Sequence, residues 1–502
     1  MHRAASPRAA GSPIVGQAAS FTLVSLALAA CGDNSEGVPT EIFPEDVYAA
    51  RCAHPRSGND PTTGQAYLDV SGSVLDEKLW VRSWIDDLYL WYREVPAVDI
   101  TQFTDAVSYF NQERTPEKTA SGKDRDQFHF TIDTADWVAM SQSGVEAGYG
   151  VQWALLATKP PRSLLVAYTE PGSPAAAAGL DRGARIVSID NVDLQNGSDT
   201  DTLNNGLYPA NLGEKHTFVV VDRGATAPHT VTLTSASIDL KPVLSADTLP
   251  PPNDKVGYIQ FTDHIATAEK ELVDAITLLR NKGATDLILD MRYNGGGYLD
   301  IASELAYMIA GPTATAGKTF ERLAFNDKHT ADGMPEGFVD HSEGFVPELL
   351  PSGRPLPSLG LSRVFVLTGS GTCSASESVM NSLAGVDVEI IQIGETTCGK
   401  PYGFLPADNC GTTFFAIQFQ GVNNKGFGDY ADGFAPGGNF HGCTVSDDFG
   451  HALGDPAEAR IAAALAYRAN PVCPAAPQVR QRPAAEAVIP KPIWRQNRIL
   501  RR

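Results

Sequence analysis

The chain has 502 residues, 43% of them hydrophobic and 20% charged, which suffices for two or three domains and at least one sizeable core. Its formal net charge of −20 repels phosphate backbones and argues against nucleic acid as a partner.

Taken in order, the chain opens with Arg3 and Arg8 ahead of an apolar run from Ala18 to Ala30 that stops at Leu28-Ala29-Ala30-Cys31. That run is too short to cross a bilayer and reads as a signal peptide over 1–30. Leu-Ala-Ala-Cys resembles a bacterial lipobox. The resemblance implies a lipid on Cys31, a membrane anchor, and a body held in the periplasm or extracellular space of a bacterial cell envelope. Residues 31–75, rich in Gly, Pro, Ser and Asp, read as a flexible tether. From Glu77 to Glu94, Trp80, Trp84, Leu88 and Trp91 recur at helical spacing and make an apolar core stripe. A second helical piece over Phe103 to Asn111 completes a small helical unit at 76–142.

From about Gly144 short strands take over: Val151 to Ala157, Leu164 to Tyr168, Arg185 to Ile189, Thr217 to Val221 and Thr230 to Thr234. Among them lie Glu170-Pro171-Gly172-Ser173-Pro174 with an alanine run, then Gly183-Ala184-Arg185-Ile186-Val187-Ser188-Ile189-Asp190. This stretch, 143–238, resembles a PDZ domain. The resemblance makes Gly148-Tyr149-Gly150-Val151 the loop that binds a peptide carboxylate, with the adjoining strand edge accepting the peptide by β-augmentation.

Beyond Lys241 strands and helices alternate. Strands are expected at Val256 to Phe261, Asp286 to Met291, Val364 to Thr368, Val388 to Ile393 and Thr412 to Phe419. Helices are expected at Thr267 to Gly283, Leu299 to Ile309 and Ser374 to Leu383, with a last one capped by Asp455. This rhythm indicates an α/β core with a mainly parallel sheet over 239–473. The basic, proline-bearing segment 474–502 reads as disordered. Setting Cys31 apart, six cysteines remain: Cys52, Cys373, Cys398, Cys410, Cys443 and Cys473. No Cys-x-x-Cys spacing supports a zinc site, so disulfides are expected, with Cys398 and Cys410 as the leading pair.

The chemistry concentrates in Gly369-Ser370-Gly371-Thr372-Cys373-Ser374-Ala375-Ser376-Glu377 and in Gly399-Lys400-Pro401, 26 positions after the serine. A serine hydroxyl needs a base, and a desolvated neutral lysine can supply one. Upstream, Asp290-Met291-Arg292-Tyr293-Asn294-Gly295-Gly296-Gly297 offers a glycine turn suited to an oxyanion. In this order the motifs resemble the carboxy-terminal processing proteases, peptidase family S41, over roughly 76–470. The resemblance implies a ClpP/crotonase-like α/β protease core preceded by a PDZ domain. It makes Ser374 the nucleophile, Ser376 a neighbour only, and Lys400 the base, with Ala375 and Gly296 or Gly297 as oxyanion donors. No metal or organic cofactor is implied.

One position departs from the family pattern, in which a glutamine four residues after the lysine orients it; here Phe404 stands there, leaving Gln418 and Asn409 as substitutes. His264, His329, His441 and His451 lie in no recognisable triad context. No Gly-x-Ser-x-Gly encloses Ser374, and no His-Glu-x-x-His is present. The expected function is a serine endopeptidase acting on protein or peptide substrates. A non-catalytic PDZ peptide-binding lipoprotein with a protease-like core is the alternative, and a protease blocked by its own PDZ domain a third.

Overall fold

The computed structural model describes residues 37–60, 64–474 and 498–500. Signal segment 1–30 and Cys31 lie outside these residues. Among the described residues no helix is long and apolar enough to cross a membrane. The described residues from Glu41 onward form one compact unit.

The α/β core is a six-stranded sheet in the order Val243–Thr248, Val256–Phe261, Asp286–Asp290, Arg363–Thr368, Glu389–Gly394 and His441–Thr444. Only the first pair is antiparallel. The continuous apolar runs are buried on both faces, as a central parallel sheet requires. Leu287, Leu289, Val364, Val366 and Ile390 pack on one face with helices Ala268–Asn281, Leu299–Thr315 and Ala375–Gly385. Ile288, Phe365, Leu367, Ile391 and Ile393 alternate to the other face, under helix Ala459–Ala469. Ser374 follows the end of strand Arg363–Thr368, so the sheet itself places the candidate nucleophile.

The PDZ unit is a second sheet in the order His229–Thr234, Lys215–Val221, Arg185–Ile189, Ser163–Thr169, Val151–Ala157. It is capped by the short helix Pro174–Ala177, where Ser173 accepts from Ala176 N–H. Arg182 joins it to the core: its guanidinium reaches Asp447 at 2.6 Å and Tyr293 Oη at 2.7 Å, and Asp447 in turn bonds Arg292 at 2.6 Å. Burial alone would neutralise Asp447, but Arg292, Arg460 and Arg182 hold its carboxyl far below the usual range.

Several expectations change. The segment expected as a tether is built into the body: Cys52 is bonded to Cys410, Ala50 N–H donates to Asn409 Oδ1, and Arg56 pairs with Asp69. The first helix runs from Val74–Leu88, with Ser73 and Asp76 forming a capping box. Trp80 and Trp84 stack at 5.5 Å as the stripe requires, but Trp91 lies beyond the helix and meets Tyr402. The expected strand Thr412 to Phe419 is two strands, Thr412–Phe415 and Phe419–Val422, in different sheets. The first pairs with Phe130–Asp133 and ties the helical unit to the core. The last helix is capped by Glu458, held in place by Arg292, and Asp455 makes the turn before it. The disulfides are Cys52–Cys410, Cys373–Cys398 and Cys443–Cys473, so the Cys398–Cys410 pairing is wrong: each of the two is drawn to a partner from another element. Within the segment expected to be disordered, Arg498–Leu500 forms a strand parallel to Gly296–Tyr298; residues 475–497 lie outside the described set.

Candidate active site

Ser374 sits immediately before helix Ala375–Gly385 with φ of +62°, an unusual conformation for a residue bearing Cβ. Such strain costs on the order of 1–3 kcal/mol and persists only where its surroundings hold it. Here the holder is Glu377, one turn into the helix. Its Oε2 accepts the N–H of Ser374 at 2.9 Å and of Lys400 at 2.8 Å; its Oε1 accepts Gly399 N–H at 2.9 Å and the Thr397 hydroxyl. One buried carboxylate thus fixes the backbone of both residues, and the Cys373–Cys398 disulfide crosses the same gap with Cα atoms 5.2 Å apart.

The Lys400 side chain is fully buried, and Nζ has no hydrogen-bond partner among the described residues. It lies 4.1 Å from the centroid of the Phe404 ring and 4.8 Å from that of Phe128. Burial pushes its pKa well below the ordinary lysine value, although the carboxylates of Asp126 and Glu377 pull the other way. Asp126 is itself buried, accepting Tyr89 Oη–H at 2.7 Å and Phe128 N–H at 2.9 Å. Gln418 and Asn409 are engaged elsewhere, donating to Leu405 O and accepting from Ala50 N–H. An aromatic wall therefore stands where an orienting amide was sought.

The glycine turn is organised by Asn294. Its Oδ1 accepts Gly296 N–H at 2.9 Å and lies 3.0 Å from His264 Nδ1, while its carbonyl accepts Cys373 N–H at 3.1 Å and the Ser376 hydroxyl at 3.2 Å. Gly297 has φ of +140°, and a Cβ there would lie 2.4 Å from His264 O, so only glycine fits. Gly296 N–H is committed to Asn294, which leaves Gly297 and Ala375 as the candidate oxyanion amides of the turn and the helix. His264 is buried and held neutral, its pKa pushed down to about 3 by desolvation. His329, His441 and His451 pair with carboxylates away from the serine.

In the PDZ unit, Gly148 ends one strand and Val151 begins the next. Tyr149 turns into the core against Phe218, and its carbonyl accepts Ala175 N–H at 3.1 Å. The strand Val151–Ala157 is the outer strand of its sheet, and Gln152 to Leu156 line a cavity of about 840 Å³. Across that cavity stand Gly369, Ser370, Gly371 and the Thr396 to Cys398 loop, so this strand edge opens toward the turn that precedes Ser374.

Sequence reasoning passed over Glu377, Asn294 and the Asp126–Phe128 pair. The serine-to-glutamate spacing of three is a capping-box signal that would have found the first. Asp126 and Phe128 lie far from Lys400 in sequence and carry no local mark.

The fold and site together are those of an α/β peptidase with an attached PDZ domain. Residues 255–406 match the family model for peptidase family S41, residues 76–128 that for the peptidase S41 N-terminal domain, and residues 165–220 that for the PDZ domain. Over these residues the chain matches the S41 peptidase family. It is 32% identical over 229 residues to the carboxyl-terminal-processing protease of Synechocystis sp., covering 46% of this chain and 47% of that protein. It is 28% identical over 238 residues to the carboxy-terminal processing protease CtpA of Bacillus subtilis, covering 47% and 44%. The chain thus spans about half the length of the curated relatives it matches. A Bacteroides fragilis protein classed with the S41 proteases shares the fold, with a TM-score of 0.61 and 24% identity over 81% of this chain and 98% of that one.

Proposed function

We propose that the protein is a serine endopeptidase of the cell envelope, anchored through a lipid on Cys31. Its PDZ unit would deliver C-terminal or unfolded segments along the Val151–Ala157 edge. Ser374 attacks the peptide carbonyl, Lys400 takes its proton and passes it to the leaving amine, and water then hydrolyses the acyl-enzyme. Amides of Ala375 and Gly297 receive the oxyanion, with Gly296 shaping the turn; losing one such donor typically costs about 10²–10³ in rate. The observation that carries this reading is the desolvated, unpartnered amine of Lys400 on a residue whose backbone N–H shares one Glu377 oxygen with the N–H of Ser374. The strand Arg498–Leu500 lying along Gly296–Tyr298 supports an extended substrate in the same place.

The test incubates the soluble fragment beginning after Cys31 with an unfolded protein, beside Ser374→Ala and Lys400→Ala. Cleavage by the wild type alone is expected, with both variants down by at least about 10³-fold. A Lys400→Ala variant of full activity would remove the dyad. Absence of cleavage together with tight binding of C-terminal peptides would identify a non-catalytic PDZ lipoprotein instead.

A further inference from the structure

The Cys373–Cys398 bond lies where covalent structure bears most directly on the proposed chemistry. Cys373 precedes Ser374, and Cys398 stands two residues before Lys400. Cys398 N–H also donates to Thr372 O at 3.0 Å, so the two segments are stitched by backbone, by sulfur and by the Glu377 carboxylate. Neither loop is held there by a strand pairing of its own, and Ser374 carries a backbone conformation that needs support.

The two sulfurs differ in access. Cys373 is fully buried, whereas Cys398 is half-buried and lines the 840 Å³ cavity between the PDZ edge and the catalytic turn. Glu377 Oε2, the oxygen shared by the Ser374 and Lys400 amides, is 3.4 Å from Cys398 Sγ. In the disulfide this sulfur has no proton to donate. Once reduced, its S–H becomes a third donor competing for that oxygen.

Resting on the serine-lysine reading above, we infer that the Cys373–Cys398 disulfide and Glu377 form one positioning unit for Ser374 and Lys400, and that a dithiol entering at Cys398 switches it off. In the first step a dithiol's thiolate bonds to Cys398 Sγ; the S–S bond breaks and its electron pair leaves on Cys373 Sγ, which takes up a proton. The second thiol of the reagent closes onto its own mixed disulfide and expels the Cys398 thiolate, which is protonated in turn. Two electrons pass from the dithiol, now a cyclic disulfide, to the protein. The freed Cys398 thiol draws Glu377 from the amides, the Ser374 turn relaxes, and the dyad loses alignment. Misplacement of a reacting group by about 1 Å can cost on the order of 10² in rate.

The test follows labelling of Ser374 by an organophosphonate in the oxidised protein and during titration with dithiothreitol, while differential alkylation and mass spectrometry report which cysteines have opened. A chelator is included, because freed Cys373 and Cys398 with Glu377 bring three ligand atoms within 4.8 Å and could capture a metal ion. The expected result is a labelling rate that falls about 10–100-fold in step with alkylation of Cys398, and recovers on reoxidation. In Glu377→Gln, removal of the nearby negative charge should also move the acid limb of the rate–pH profile to lower pH, which a purely structural role would not do. A rate that instead tracks opening of Cys52–Cys410 or Cys443–Cys473, or ignores all three, overturns the inference. The double variant C373A/C398A gives an independent check: labelling indifferent to reductant supports the inference, and labelling that still falls with reductant refutes it. Oxidised wild type that never labels at Ser374 would sink the catalytic reading itself, a different outcome from labelling that ignores the disulfide.

Discussion

At the scale of single residues the decisive question is how a lysine stays neutral. Lys400 is walled by Phe404 and Phe128, and burial outweighs two carboxylates that favour its ammonium form. Because burial lowers its pKa, the neutral amine persists to lower pH than in an exposed lysine and is lost as pH falls through that lowered value. Replacing Phe404 by Gln puts an amide oxygen within reach of Nζ, favouring the charged form. In Phe404→Gln the acid limb of the Ser374 acylation profile should move to higher pH, by one unit for each ~1.4 kcal/mol gained by the charged form; an unmoved limb would show that the ring does not set the lysine's charge. Ser374, Lys400 and the glycines could be read from the sequence because their chemistry demands a local motif. Phe128 and Asp126 could not, since only the fold brings them under the lysine.

At the scale of elements, strand and helix identities followed from alternation and helical spacing, and the strands Val256–Phe261 and Arg185–Ile189 fall where the pattern put them. Failures came where tertiary partners decide the outcome. Asp455 looks like a cap by residue type, yet Glu458 caps the last helix because Arg292 fixes its carboxylate at 2.8 and 3.1 Å. The run from Thr412 to Phe419 carries no turn residue to mark its break, yet it serves two sheets in succession. Glu458 couples a helix start to a buried guanidinium, so Glu458→Ala leaves Arg292 short of a counter-charge as well as uncapping the helix. Removing one member of a buried pair costs about 3–5 kcal/mol. Denaturant unfolding should show a loss of that order, and a loss under about 1 kcal/mol would mean that Asp290 and Asp447 compensate.

At the scale of the whole molecule, buried acids set the response to pH. Glu304 is buried beside Glu269, and desolvation followed by that neighbour pushes its pKa up to about 10. The folded state therefore keeps a proton that the unfolded chain releases above about 4.5. This contribution to stability is fully present below that point and declines as pH rises toward 10, by at most about 1.4 kcal/mol per pH unit. Glu304→Gln should flatten the decline, gaining on the wild type as pH increases when unfolding is followed from pH 5 to 9; parallel curves would place the proton elsewhere.

The bond between Cys52 and Cys410 has a mechanical consequence. It joins residues 358 apart and closes the helical unit, the PDZ unit and most of the catalytic core into one covalent ring. A pull on the chain ahead of Cys52, where an anchor would exert it, crosses the sulfurs into the hairpin of Ala407–Asn409 and Thr412–Phe415. Tension then bypasses the PDZ unit and the Ser374 turn, and the ring holds its contents together even if the polypeptide is nicked inside it.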